Sequence, residues 1–395
     1  MKRWGALLLA LAGCDQLFNL RHVDEVQDGG DAGDGRDAVA DDSRPAAICH
    51  GAPPAPMDYM TGANPNSVTL ADLNKDGALD LIVPEYNAGA VAIFLNDATG
   101  HFTRQADVPV GTSPTRTVVL DIDGDMKLDL VTANYNSSSL SLSLGNGQGA
   151  FQATPPISLG NNPVALAALA IDGSPDDLVV ALYGDDVIVP LVNNGSGSFA
   201  PSANLPTVDG PNDLLVANVN GDGAPDLIVT GGNTSVLAVH LANTNGTGSW
   251  LAPTAIPVGS TPSVAVVGRF DSDANLDVAV AATLGQQVDV LYGMGDGTFG
   301  THQMLPSTAQ VWGVAAGHLD GDSSLDLAVT HYTGAKDTFV YPGSSGMSFA
   351  FPKMLPSHGA GVGVAVGNLD GKQPDDVVVG NYDESTVTVY LGCLP

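Results

Sequence analysis

Apolar positions in this chain come in short runs, five to seven residues long, divided by clusters of Gly, Asn, Asp, Ser and Pro. The first set reads "SVTLA", "LDLIV", "AVAIFL" and "FTRQADV". Val, Ile, Thr and Phe dominate these runs, and none carries the i, i+3, i+4 spacing of an amphipathic helix. The pattern predicts β-strands throughout, taken four at a time.

The set of four then repeats. Between its first and second strands lies an acidic nine-residue loop: "DLNKDGALD" at 72, "DIDGDMKLD" at 121, "NVNGDGAPD" at 218, "RFDSDANLD" at 269, "HLDGDSSLD" at 318 and "NLDGKQPDD" at 368. A shortened copy, "LAIDGSPDD", falls between the second and the third of these. The ninth position is Asp80, Asp129, Asp177, Asp226, Asp277, Asp326 and Asp376, in steps of 49, 48, 49, 51, 49 and 50. Phe102, Phe151, Phe199, Trp250, Phe299 and Phe349 keep the same step, each after a Gly-rich turn, and are expected to open the fourth strand. A period near fifty means an array of supersecondary units. The rungs of a parallel solenoid are usually shorter. The expected fold is all-β, a seven-bladed β-propeller of four-stranded antiparallel blades.

The "D-x-[DN]-x-D-G-x-x-D" hairpin followed by a "G-x-G-x-F" turn resembles the FG-GAP (VCBS-type) repeat of integrin α-subunit propellers and of many secreted bacterial proteins. The resemblance spans residues 50 to 395. It implies a propeller, and it implies ligand binding on the face opposite the acidic hairpins. It says much less about which ligand.

The seventh unit stops after its third strand. "APMDYMTGANPNSV" aligns with "QADVPVGTSPTRTV", so residues 56–61 are expected to complete the last blade and close the ring, removing two exposed edges. That closure brings Cys49 toward Cys393, and an oxidising compartment favours a disulfide between them.

Carboxylates at positions 1, 3, 5 and 9 of a tight turn, with a carbonyl at 7, form an oxygen cage of the kind Ca²⁺ takes. The competing expectation is that Asp and Asn only satisfy the backbone groups of the turn. Repetition at strict spacing favours calcium. The complete loops are Asp72, Asn74, Asp76, Ala78, Asp80; Asp121, Asp123, Asp125, Lys127, Asp129, with Met126 in place of the turn Gly; and Asn218, Asn220, Asp222, Ala224, Asp226. The sixth unit (His318, Asp320, Asp322, Ser324, Asp326) is weaker because His stands at position 1. Arg269 and Lys372 replace ligands in the fifth and seventh units and are expected to neutralise the neighbouring Asp residues. Three structural calcium ions are expected, with a fourth in the sixth unit.

Charge and the N-terminus place the chain. Only 13 Lys and Arg oppose 43 Asp and Glu, a formal net charge of -30, which repels nucleic acid and anionic membranes. "MKRWGALLLALAGC" reads as a secretory signal, residues 1–13, ending in a lipobox-like "LAGC" that makes Cys14 a lipidation site. Residues 14–47 are acidic and poor in large apolar side chains, an expected disordered tether with a mean reach of about 30 Å. The propeller then occupies 48–395. A lipid-anchored, exported monomer in a bacterial cell envelope is expected.

No G-x-S-x-G, H-E-x-x-H, P-loop or dinucleotide fingerprint is present. Tyr86, Tyr135, Tyr183, Tyr332 and Tyr382 recur between second and third strands, which favours packing between blades over sugar stacking. Features unique to one unit gather in the sixth: Trp312 stands where other units carry Asn, Thr, Ser or Val, and His331, Tyr332 and Lys336 follow nearby. These four are the ligand-binding candidates. The function expected is a calcium-stabilised adhesion or binding module for an extracellular protein or glycan, without catalysis. A propeller lyase or hydrolase acting on extracellular polysaccharide is the alternative.

Overall fold

The computed structural model describes residues 55–171, 177–243, 248–333, 337–357 and 359–392. The signal segment 1–13, the tether, Cys14, Cys49, Cys393 and Lys336 lie outside the described residues, and so does the proposed disulfide.

Seven antiparallel sheets follow one another along the chain. The second blade shows the plan: an inner strand Pro114–Leu120, then Asp129–Asn134, Ser139–Gly145 and an outer strand Phe151–Ala153. Each second strand is buried along its whole length, as in Asp129–Asn134 and Val377's strand Asp376–Asn381, because both its faces pack against neighbouring blades. That explains why these runs read as continuously apolar rather than alternating.

Seven hydrophobic clusters fill the seven gaps between blades. One joins Ala365, Val378 and Val389 of the seventh blade to Leu70, Val83 and Phe94 of the first. Hydroxyl side chains add stitches between inner strands: Ser67 donates to the Thr115 carbonyl and Thr69 to that of Thr117, each at 2.9 Å.

The last blade holds Gly361–Gly367, Asp376–Asn381, Thr386–Tyr390 and Met57–Met60. Met57 faces Val389 and Met60 faces Thr386 in antiparallel register. Beyond this strand, Arg104 donates to the Met60 carbonyl and pairs with the buried Glu85, which also accepts the Gly62 amide.

Two outer strands depart from the expected start. Phe102, Phe151, Phe199 and Phe299 open theirs, but the fourth blade's strand is Thr254–Pro257 and the sixth's is Lys353–Leu355. Trp250 instead forms a bridge to Ala242, and Phe349 ends a small hairpin, Gly343–Ser344 with Ser348–Phe349. In both blades the paired strand is the second half of the outer strand, in the register that Val108–Pro109 and Ile157–Ser158 keep in the first two blades.

Candidate functional site: an acidic face and an aromatic mouth

Inner strands run from one end of the central channel to the other, about 20 Å for seven residues. The acidic hairpins close one end, and the turns between second and third strands surround the other.

On the acidic face one element recurs in all seven blades. The ninth-position Asp is buried, and each of its two oxygens accepts a backbone amide at 2.5–2.9 Å. In the fifth blade Asp277 takes the amides of Phe270 and Gly293, tying the hairpin to the end of the third strand. A Cβ at Gly293 would lie 2.1 Å from the Leu276 carbonyl, so the third strand passes too close for any side chain there. Burial, offset in part by these amides, pushes Asp80, Asp129, Asp326 and Asp376 up to about 6 and Asp277 to about 7. The strut persists in the third, fifth and seventh blades, where a full set of metal ligands is missing. Position 9 is a structural residue first.

The remaining loop positions divide the blades. Positions 4 and 6 are both left-handed in the first (Lys75, Gly77), second (Gly124, Met126) and fourth (Gly221, Gly223). Position 4 alone is left-handed in the sixth and seventh, at Gly321 and Gly371. The three loops with complete ligand sets thus share one turn geometry. In the first and second of them, position 1 caps the turn: Asp72 accepts from Asp76 and Gly77, and Asp121 from Gly124, Asp125 and Met126. Asn74, Asp76, Asn220 and Asp222 accept amides two residues on, as Asx turns do.

Among the described residues, three carboxylates converge within 4.8 Å in two places, at Asp121, Asp123 and Asp129 and at Asp320, Asp322 and Asp326. Beside the first, Lys127 pairs with Asp125 at 2.5 Å. In the second, the His318 ring hydrogen-bonds the Ser324 carbonyl at 2.9 Å, which engages positions 1 and 7 with each other. Lys372 pairs with Asp370 at 2.7 Å, and Arg269 donates to the Ala274 carbonyl. Buried oxygens without a hydrogen-bond partner belong to three of these loops: Asn218 Oδ1, Asp271 Oδ2 and Asn368 Oδ1.

At the other end the symmetry breaks. A cavity of about 350 Å³ opens into the channel, lined by inner-strand residues of all seven blades and by Tyr86, Tyr135, Tyr332 and Tyr382. The inner strands of blades two to seven are bulged where they reach it, at Pro114/Arg116, Pro163/Ala165, Pro211/Asp213, Pro262/Ala265, Val311/Val314 and Gly361/Gly363. A bulge re-aims side chains, and Thr115, Val164, Asn212, Val264, Trp312 and Val362 sit in them and line the cavity, as does Arg116 just beyond the second blade's bulge.

The tyrosines form an arc. Trp312 and Tyr332 have ring centres 5.4 Å apart, Tyr332 and Tyr382 6.3 Å, and Tyr135 and Tyr183 6.0 Å. Tyr86 completes it: burial first, then the phenols of Tyr332 and Tyr86, raise Tyr382, and burial with Tyr183 and Tyr86 raises Tyr135. Packing between blades and lining the cavity are one role here. The arc stops at blades four and five, where Gly232 and Thr283 occupy the Tyr position. Across the mouth, Arg116 of the second blade pairs with the buried Asp213 of the fourth.

Of the sixth-blade candidates, Trp312 and Tyr332 line the cavity, and Lys336 lies outside the described residues. His331 is corrected. It ends its strand with 1% exposure, bonded to Ser307 Oγ at 2.8 Å and to the Asp337 carbonyl at 2.7 Å, and burial lowers its pKa. It is a neutral core residue, withdrawn from the open face. Asn66, Arg116 and Asn212 are mouth residues that strand patterning passes over: Asn212 sits in a bulge, which leaves no trace in alternation, Arg116 directly follows one, and Asn66 precedes the paired part of its inner strand.

The FG-GAP-like repeat model matches residues 72–132, 121–176, 218–280 and 269–329, more than half the chain. The chain belongs to the FG-GAP-like repeat family. No curated protein matches it in sequence. Among solved structures it resembles BBS1N, crystallised in complex with ARL6DN (TM-score 0.60, 14% identity, 86% of this chain and 96% of that one). It also resembles virginiamycin B lyase from Staphylococcus aureus (0.59, 10%, 85% and 99%) and Kuenenia stuttgartiensis hydrazine synthase (0.60, 17%, 84% and 96%). These share the FG-GAP protein's fold and differ in what they do.

Proposed function

We propose that this FG-GAP propeller is a calcium-braced, non-catalytic binding module, exported and held at a bacterial envelope by a lipid on Cys14, which engages an extracellular ligand through the channel mouth. One observation carries the reading. The buried Asp of the acidic hairpins repeats in all seven blades, whereas the residues at the mouth differ from blade to blade around a cavity and an aromatic arc, and function in a repeat fold follows departures from the repeat. Non-catalytic action fits the lining, which among the described residues includes no His, Cys, Asp or Glu. A monomer with a net charge of -30 fits extracellular partners other than nucleic acid.

Calcium fits the first, second and fourth loops, which share one turn and offer side-chain oxygens at positions 1, 3, 5 and 9, with the sixth as a fourth site through Asp320, Asp322 and Asp326. The unpartnered Asn218 Oδ1 suits a cation ligand in the fourth loop. An ion there draws together carboxylates that otherwise repel one another. The immobilised mature domain, challenged with extracellular proteins and a glycan array, is expected to retain a ligand that Tyr332→Ala loses. Turnover of a polysaccharide by the purified domain would contradict the non-catalytic reading and favour the lyase or hydrolase alternative.

A further inference from the structure

We infer that the ligand of the channel mouth is the end of a neutral saccharide chain, seated against the aromatic arc. This rests on the binding-module reading and narrows it to one chemistry.

Charge decides first. The chain carries 43 Asp and Glu, yet none lines the cavity among the described residues. Among those residues the one cation in the lining, Arg116, is paired with Asp213, which is only 2% exposed and also accepts the Ala265 amide. The acidic rim, with Asp185, Asp186, Asp383 and Glu384 in the turns around the mouth, turns away polyanions, while the described lining itself sets no carboxylate against the aromatic wall to pair with an organic cation. What remains is an uncharged ligand.

Shape decides next. Trp312, Tyr332, Tyr382, Tyr86 and Tyr135 present a wall of rings, and Asn66 and Asn212 supply amide donors and acceptors beside it. A pyranose ring has that duality, with C–H groups on its faces and hydroxyls around its edge. Aromatic side chains with a polar tip serve a partner that is apolar on one side and wet on the other. A protein docking site would call for a broad surface, whereas a recessed cavity of about 350 Å³ sits at the small-molecule end of the scale, about 300–1,000 Å³.

The gap in the arc gives a direction. Gly232 and Thr283 leave the wall without rings over two adjacent blades, beside Asn212. A chain whose terminal units fill the cavity leaves through that side. The site therefore reads chain ends.

The test is calorimetric titration of the full mature protein with xylohexaose, cellohexaose and mannohexaose, with polygalacturonate as the anionic comparison, and tryptophan emission followed in parallel. At least one neutral oligosaccharide is expected to bind and to shift the emission. Trp312→Ala and Tyr332→Ala each weaken binding about tenfold or more, the usual effect of truncating a central aromatic anchor. Trp312→Phe keeps most of the affinity and abolishes the emission change. Thermal melts establish that each variant folds, and the part-exposed Tyr332 decides should Trp312→Ala fail to. Absence of binding by all three neutral sugars, undiminished binding by folded Trp312→Ala and Tyr332→Ala, or preference for polygalacturonate overturns the inference. Capture of a protein ligand while the sugars fail overturns the saccharide and leaves the binding module standing. Failure of sugars and proteins alike overturns both.

Discussion

The two ends of the channel are built from the same repeat and obey different rules. At the acidic end, a buried Asp accepts two amides in every blade, including those whose loops have lost metal ligands. At the mouth, equivalent positions hold Asn66, Thr115, Asn212, Ser263, Trp312 and Val362 among others, and the row of tyrosines is interrupted at Gly232 and Thr283. What every blade needs in order to fold is repeated. What the proposed ligand needs is not.

The largest expected effect sharpens that contrast. Asp376→Ala strands two buried amides in a blade without a full calcium loop, and is expected to lower stability by about 3 kcal/mol or more in urea unfolding. Tyr332→Ala, at a part-exposed mouth position, should lower it by about 1 kcal/mol or less. Equal losses would erase the distinction between the two ends.

Calcium comes next. An ion held at a hundred times its Kd stabilises by about 2.7 kcal/mol per site, so the melting temperature should rise with calcium and fall with chelator. Asp123→Ala should remove part of that rise by disabling the second loop, whereas Asp370→Ala should leave it intact.

A smaller effect is tied to pH. Asp277 and Asp376 have folded values of about 7 and about 6, above those of an exposed carboxylate. Between about pH 4 and these values the folded chain holds protons that the unfolded chain has released. Their stabilising share is complete below about pH 4 and is lost as pH rises through 6 and 7. With chelator present, urea midpoints are expected to fall from about pH 5 to about pH 8; a rise over that interval would contradict the burial of these carboxylates as acids.

The smallest effect concerns Met126, which holds a left-handed turn at φ 66° where the other complete loops have Gly77 and Gly223. Met126→Gly relieves a conformation that is unfavourable for a side chain by about 1–2 kcal/mol and returns part of it as unfolded-chain entropy. A net gain of about 0.5 kcal/mol is expected from chemical denaturation.

Blade number, strand order and the completing strand near residues 56–61 are legible in the sequence because each follows from period and alternation, which depend on local chain geometry. The acidic loops are legible as turns for the same reason, but the dual acceptor role of Asp277 is not. It depends on Gly293, brought alongside only when the third strand pairs. Likewise His331 reads as a loop residue until its ring is seen between Ser307 and Phe339, 4.5 Å from the latter. The mouth is hidden for a further reason: its residues come from seven blades, and bulges shift them out of register. Trp312 stands out in one repeat, whereas Asn66 and Asn212 do not.

Amide hydrogen exchange, mapped across the folded chain with calcium and again after chelation, tests most directly whether one end braces and the other binds. The account predicts faster exchange on chelation at the turn amides of Gly124, Asp125 and Met126, with the mouth segments around Trp312, Tyr332 and Tyr382 unchanged. Unaltered exchange in the acidic hairpins, or an equal change at both ends, would contradict it.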